Sequence, residues 1–126
     1  MNLFRITPFL LSATLALAAV PAYASTAIQQ MAEITMRLNH FPSDAEKKTL
    51  RGIAEDTSAT AGERALASAL VSMEHKVGGA DRQKLQDLLK MDGATAEERT
   101  LAEVLLGINH KPSAADAQKL RPLAAQ

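Results

Sequence analysis

Three histidines are the residues of this chain best suited by type and spacing to do chemistry: His40, His75 and His110 stand 35 positions apart. Imidazole is a common metal ligand and titrates near neutrality, so the register points to metal binding or to proton-linked stability. Cysteine is absent, which excludes thiolate metal sites, cysteine nucleophiles and disulfides. Independent metal sites at each histidine would need local second ligands. The candidates are Met36 four residues before His40, Glu74 beside His75, or the acid six positions on, Glu46, Asp81 or Asp116. Met31, Met36, Met73 and Met91 mostly sit on apolar stripes and read as core filling.

Catalysis has little to work with. Ser43 and Ser113 read as helix caps and Ser68 and Ser72 as helix residues, none in the setting of an activated nucleophile. Glu55-Asp56 and Glu97-Glu98 are adjacent carboxylates, and neighbours along a helix do not face each other. Gly78-Gly79 is a turn followed by Asp81, which repels phosphate. The chain therefore reads as a non-enzyme with no cofactor.

The elements that position the histidines follow a repeat. Residues 60–91 and 95–126 align without gaps at 15 identities in 32 positions, sharing T-A-x-E-R-x-L-A and H-K-x-x-x-A-D-x-Q-K-L. Asn39-His40-x-Pro42-Ser43-x-Ala45 matches Asn109-His110-x-Pro112-Ser113-x-Ala115 and brings residues 25–59 into the same scheme. The units are then 25–59, 60–94 and 95–126, forming a single domain. Each reads as two helices. Thr60-x-x-Glu63 and Thr95-x-x-Glu98 are capping boxes. After them come Leu66, Ala69, Leu70 and Met73, and Leu101, Val104, Leu105 and Ile108, spaced as a buried helical stripe. Met31, Ile34, Thr35 and Leu38 are the weaker stripe of unit one. Ser43 with Glu46 and Ser113 with Asp116 cap the second helices, Gly93 can take a left-handed turn after the fourth, and Pro122 is expected to end the sixth early. Ala32, Ala67 and Ala102 should let helices approach closely.

The prediction is an all-α fold of three tandem α-hairpins, about six helices, arranged as a short solenoid or a compact bundle. In period and layout alone it resembles tetratricopeptide-type solenoids, whose aromatic positions are filled here by Ala, Leu and Met. In a regular stack, packed helices lie about 8–10 Å apart, so equivalent histidines would be too far apart for one zinc ion, whose nitrogen ligands sit at about 2.0–2.1 Å. On that layout a three-histidine cage is excluded. Each histidine is expected instead to tighten its own hairpin, by meeting the helix C-terminus and the carboxylate at the third position of the next helix.

Residues 1–24 read as a secretory signal peptide, with Arg5, an apolar run to Val20 and a small-x-small cut between Ala24 and Ser25. The apolar run is too short for the ~20 residues of a membrane span, and no span is expected after removal of the signal. The remaining chain keeps one aromatic, Phe41, with 13 basic and 14 acidic residues, which argues against nucleic-acid partners. These features predict a periplasmic, or alternatively secreted, helical-repeat protein that binds another protein or peptide. Arg64 and Arg99, which recur after the capping glutamates, are the candidate binding surface. The alternatives are a metal-buffering protein using His40, His75 and His110, or a pH- or stress-responsive envelope protein.

Overall fold

Residues 25–125 are described in the computed structural model, and the leader read in residues 1–24 lies outside them. Six helices follow: α1 Thr26–Met36, α2 Asp44–Glu55, α3 Ala61–Val71, α4 Gly79–Lys90, α5 Ala96–Gly107 and α6 Ala114–Ala124. Their starts are set chemically. Ser25, Ser43, Thr60, Thr95 and Ser113 each accept a hydrogen bond from an amide of the first turn, satisfying a donor that has no partner inside the helix. Full capping boxes form at Ser43/Glu46, Thr95/Glu98 and Ser113/Asp116.

The box expected at Thr60 is only half made. Thr60 Oγ1 accepts from the Glu63 amide at 3.0 Å, but its hydroxyl donates to Glu98 Oε1 at 2.6 Å. The second unit is thereby tied to the third. Glu98 is buried and also accepts from the Thr95 amide at 3.2 Å. Two further expectations are corrected. Gly93 has no positive φ, because α4 ends at Lys90 with Met91 as an extended C-cap and a turn closed by the Ala94 amide on the Met91 carbonyl. Pro122 does not stop α6, which runs on to Ala124; it lies in the last turn, where it interrupts little of the ladder.

The packing decides between solenoid and bundle. The first helices of the units, α1, α3 and α5, all touch one another, and each second helix packs on a first helix: α2 on α3, α4 on α5 and α6 on α1. The last contact returns the chain to its start. Three repeats thus close into a ring, a compact helical bundle with an approximate threefold axis among α1, α3 and α5. Ala32, Ala67 and Ala102 are all fully buried, the small side chains that close approach of three helices requires. Around them Met31, Leu66 and Leu101 fill one level, and Thr35, Leu70 and Leu105 the next, all fully buried. Thr35 is tolerated because its hydroxyl donates to the Met31 carbonyl at 2.6 Å. Met91 is half-exposed and outside this core, against its reading as core filling.

Gly62 supplies a sharp test of the Thr60–Glu98 tie. In a helix, Gly→Ala ordinarily stabilises by about 1 kcal/mol. A Cβ on Gly62 would stand 2.5 Å from Glu98 Oε2 and 3.0 Å from Leu88 Cδ1, whereas one on Gly52 meets nothing within 4 Å. Gly52→Ala should therefore raise the thermal midpoint, and Gly62→Ala should lower it, with a net cost of about 1–2 kcal/mol. Denaturant melts of the two variants compare them directly.

Candidate metal centre

Each histidine lies in the short connection between the two helices of its unit, held from both sides by core residues. Leu38 and Pro42 flank His40 at two positions before and after, Met73 and Val77 flank His75, and Ile108 and Pro112 flank His110. All are buried except Pro112, which is half-buried. The alternation drives each histidine outward at the apex of a tight turn. In the first two turns the residue after the histidine donates its amide to the carbonyl of the residue before it, Phe41 to Asn39 at 2.9 Å and Lys76 to Glu74 at 2.6 Å. The common form of such a turn has a central φ near −75°, and only the rare, strained form has a positive one. The histidines have φ of 71°, 65° and 69°, and they alone among the described non-glycine residues have positive φ. Backbone held there costs about 1–3 kcal/mol per residue and persists only where its surroundings fix it.

Ring closure brings the three turns together on the axis. The His40 amide donates to the His110 carbonyl at 2.6 Å, His75 to His40 at 3.0 Å and His110 to His75 at 2.7 Å. This cyclic backbone triangle ties all three units at one point. The side chains repeat the pattern: Nδ1 of His40 lies 3.1 Å from Nδ1 of His75 and 3.0 Å from that of His110, and the third pair is 3.0 Å apart. The ring centres are more widely spread, at 4.7–5.0 Å, with ring planes 67–85° apart. The imidazoles fan out from a common focus, which similar triangles put about 2 Å from each nitrogen, the length of a metal–imidazole bond.

The expectation that one ion cannot reach all three histidines is therefore overturned, and so is their role as separate hairpin clips. A regular stack would space the histidines along an axis, whereas a closed three-membered ring puts equivalent positions around it. Two of the three expected carboxylate partners of the hairpin reading are engaged elsewhere. Glu46 and Asp116 close their own capping boxes, and each histidine ring faces the other two. The local second ligands considered for separate sites, Met36, Glu74 and the three acids, are not required where the three rings meet.

Hydrogen bonding alone leaves this trio frustrated. An imidazole nitrogen either carries a proton and donates or carries a lone pair and accepts. Three mutually adjacent nitrogens cannot alternate, so at least one contact sets two donors or two lone pairs face to face at about 3 Å. A cation at the focus removes the conflict by accepting all three lone pairs at once. Three nitrogens about 3 Å apart subtend about 91–97° at an ion 2.0–2.1 Å away, close to one face of an octahedron or a compressed tetrahedral base. The histidines are exposed, so the other coordination positions open to solvent.

Arg64 and Arg99 lie at the starts of α3 and α5, the opposite ends of these helices from the histidines. Arg99 donates to the Met91 carbonyl at 2.6 Å. Arg64 lies near Asp56, whose carboxyl is held below its ordinary range first by the Ser58 hydroxyl and amide, with Arg64 a lesser influence. Sequence reasoning missed the convergence itself. Its signal was the apolar residue two places either side of every histidine, which marks three equally anchored apices. Compared with known proteins, the chain matches no family profile, no curated protein and no solved structure.

Proposed function

We propose that this protein binds one divalent transition-metal ion per chain through Nδ1 of His40, His75 and His110. The observation that carries this reading is the set of three Nδ1 atoms within 3.1 Å of one another, whose rings share a focus at metal-bond distance. Neutral imidazole suits zinc, copper, nickel and iron rather than calcium or magnesium. The expected export leader would place the centre in the periplasm, where a cysteine-free site has no thiols to oxidise. Repetition lines up equivalent side chains into one surface in a stack, whereas in a closed ring it gathers them around an axis, as it does the histidines. The exposure of all three histidines favours a buffer or carrier over an enzyme, because catalytic metal sites work in shaped, water-excluding cavities.

Calorimetric titration with Co²⁺, Ni²⁺ or Zn²⁺ should show one site per chain. His75→Asn keeps a residue that accepts positive φ but removes one of three ligands, and should weaken binding at least a hundredfold with the fold retained by circular dichroism. Unchanged affinity in that variant would refute the shared centre.

A further inference from the structure

Resting on the metal reading above, we propose that the bound ion's open face takes a small carboxylate ligand, held by Lys76 and Lys111 and seated against Phe41. The residue following each histidine is repeated around the axis with it, and these three positions are Phe41, Lys76 and Lys111, all exposed. Two of the three sectors around the ion therefore carry an ammonium group, and the third carries the one aromatic ring of the described chain. Lys47 adds a third cation there, its Nζ 5.3 Å from the centre of the Phe41 ring. Among the residues adjacent in sequence to the three histidines, Glu74 is the one acid against Lys76 and Lys111, so with a divalent ion bound the pole attracts an anion.

The size and shape of the anion follow from the third sector. Phe41 is 55% exposed, an unusual exposure for a large apolar side chain beside a polar centre. It walls a cleft of about 310 Å³ whose other sides are Lys47, Met73, Glu74 and His75. The cleft runs up to one of the three ligands. A carboxylate oxygen on the ion can thus be joined to a short apolar or aromatic body lying on Phe41, with the second oxygen toward the lysines. Carboxylate oxygen is a fitting partner for an ion that already has three nitrogens on one face. A second copy of the chain is a poorer occupant, because it would set lysine against lysine across the axis.

Co²⁺-loaded protein makes the test, since its visible absorption reports ligand exchange at the ion. Titration with acetate and with benzoate should change the spectrum while cobalt stays bound, with benzoate binding several-fold more tightly. Lys76→Gln combined with Lys111→Gln should weaken both by about 5–10-fold, with Co²⁺ affinity changed less than threefold. Phe41→Ala should abolish the advantage of benzoate. A spectrum indifferent to both anions, or equal anion binding by the lysine variant, overturns the proposal and leaves the metal site standing. Equal affinities for acetate and benzoate overturn the Phe41 seat. Failure of Co²⁺ to bind at all overturns the metal reading, and this proposal with it.

Discussion

Saturating the histidine centre with Zn²⁺ or Ni²⁺ should raise the midpoint of thermal unfolding by roughly 10–20 °C. A ligand at a hundred times its dissociation constant adds about 2.7 kcal/mol to the folded state if the unfolded chain does not bind it. The unfolded chain holds its histidines 35 residues apart, so the three-point site exists only in the folded ring. The place of the ion also favours a large effect. The histidine triangle is where the amides of all three units meet, and one ion there ties the first unit to the last as well as to the second. From Ser25 onward the chain has neither Trp nor Tyr, so far-UV circular dichroism is the suitable probe. Metal binding at imidazole competes with protons, so the shift should shrink in acid. His40→Asn, His75→Asn and His110→Asn should each remove most of it. A metal-induced shift that survives all three substitutions would show that the ion binds elsewhere.

Much of the local structure was legible in the sequence because its determinants are local. Ser43, Thr95 and Ser113 read as caps from their own spacing to Glu46, Glu98 and Asp116, and all three boxes form. The stripes around Leu66, Leu70, Leu101 and Leu105 are fixed by the 3.6-residue period, and these residues are fully buried. Where a local signal had a long-range rival, it lost. Thr60 spends its hydroxyl on Glu98, 38 residues away, instead of completing a box with Glu63.

The histidine centre was half legible for the same reason. Type, number and register stood in the sequence, but coplacement depends on the rotation between successive units. That rotation is set by how α2 leans on α3, α4 on α5 and α6 on α1, and no residue spacing encodes it. Ala32, Ala67 and Ala102 pointed to close approach, which a stack and a ring both use. A threefold ring also needs three units and no more, and three is what the chain contains. The strained turns were hidden as well: histidine tolerates positive φ better than most residues, so nothing in its type announced the apex of a turn.

Leu66→Ala should cost about 3–5 kcal/mol, the range for a fully enclosed leucine whose neighbours cannot collapse into the gap. Leu66 is fully buried, next in sequence to the axial Ala67 and at the level of Met31 and Leu101. In a ring, each inner helix is braced by the two others and by an outer helix, so inward movement to fill the cavity would break contacts on the far side. For a domain of this size the loss should lower the midpoint by roughly 12–40 °C, a large fraction of the 5–15 kcal/mol that domains possess. Leu66 lies at the middle of α3, five residues before its end, and the histidines follow the ends of α1, α3 and α5, so the variant should still bind metal when folded. Metal should then restore about 2.7 kcal/mol at a hundredfold excess over its dissociation constant. The two effects should add, because sites separated by more than about 7–10 Å with no shared partner are nearly independent. A double comparison, wild type and Leu66→Ala each with and without Zn²⁺, reads that additivity. If Zn²⁺ gave the variant much less than it gave the wild type, the histidine triangle would depend on the packing at the middle of the inner helices. The ring would then be one cooperative body in which metal affinity reports the state of the whole core.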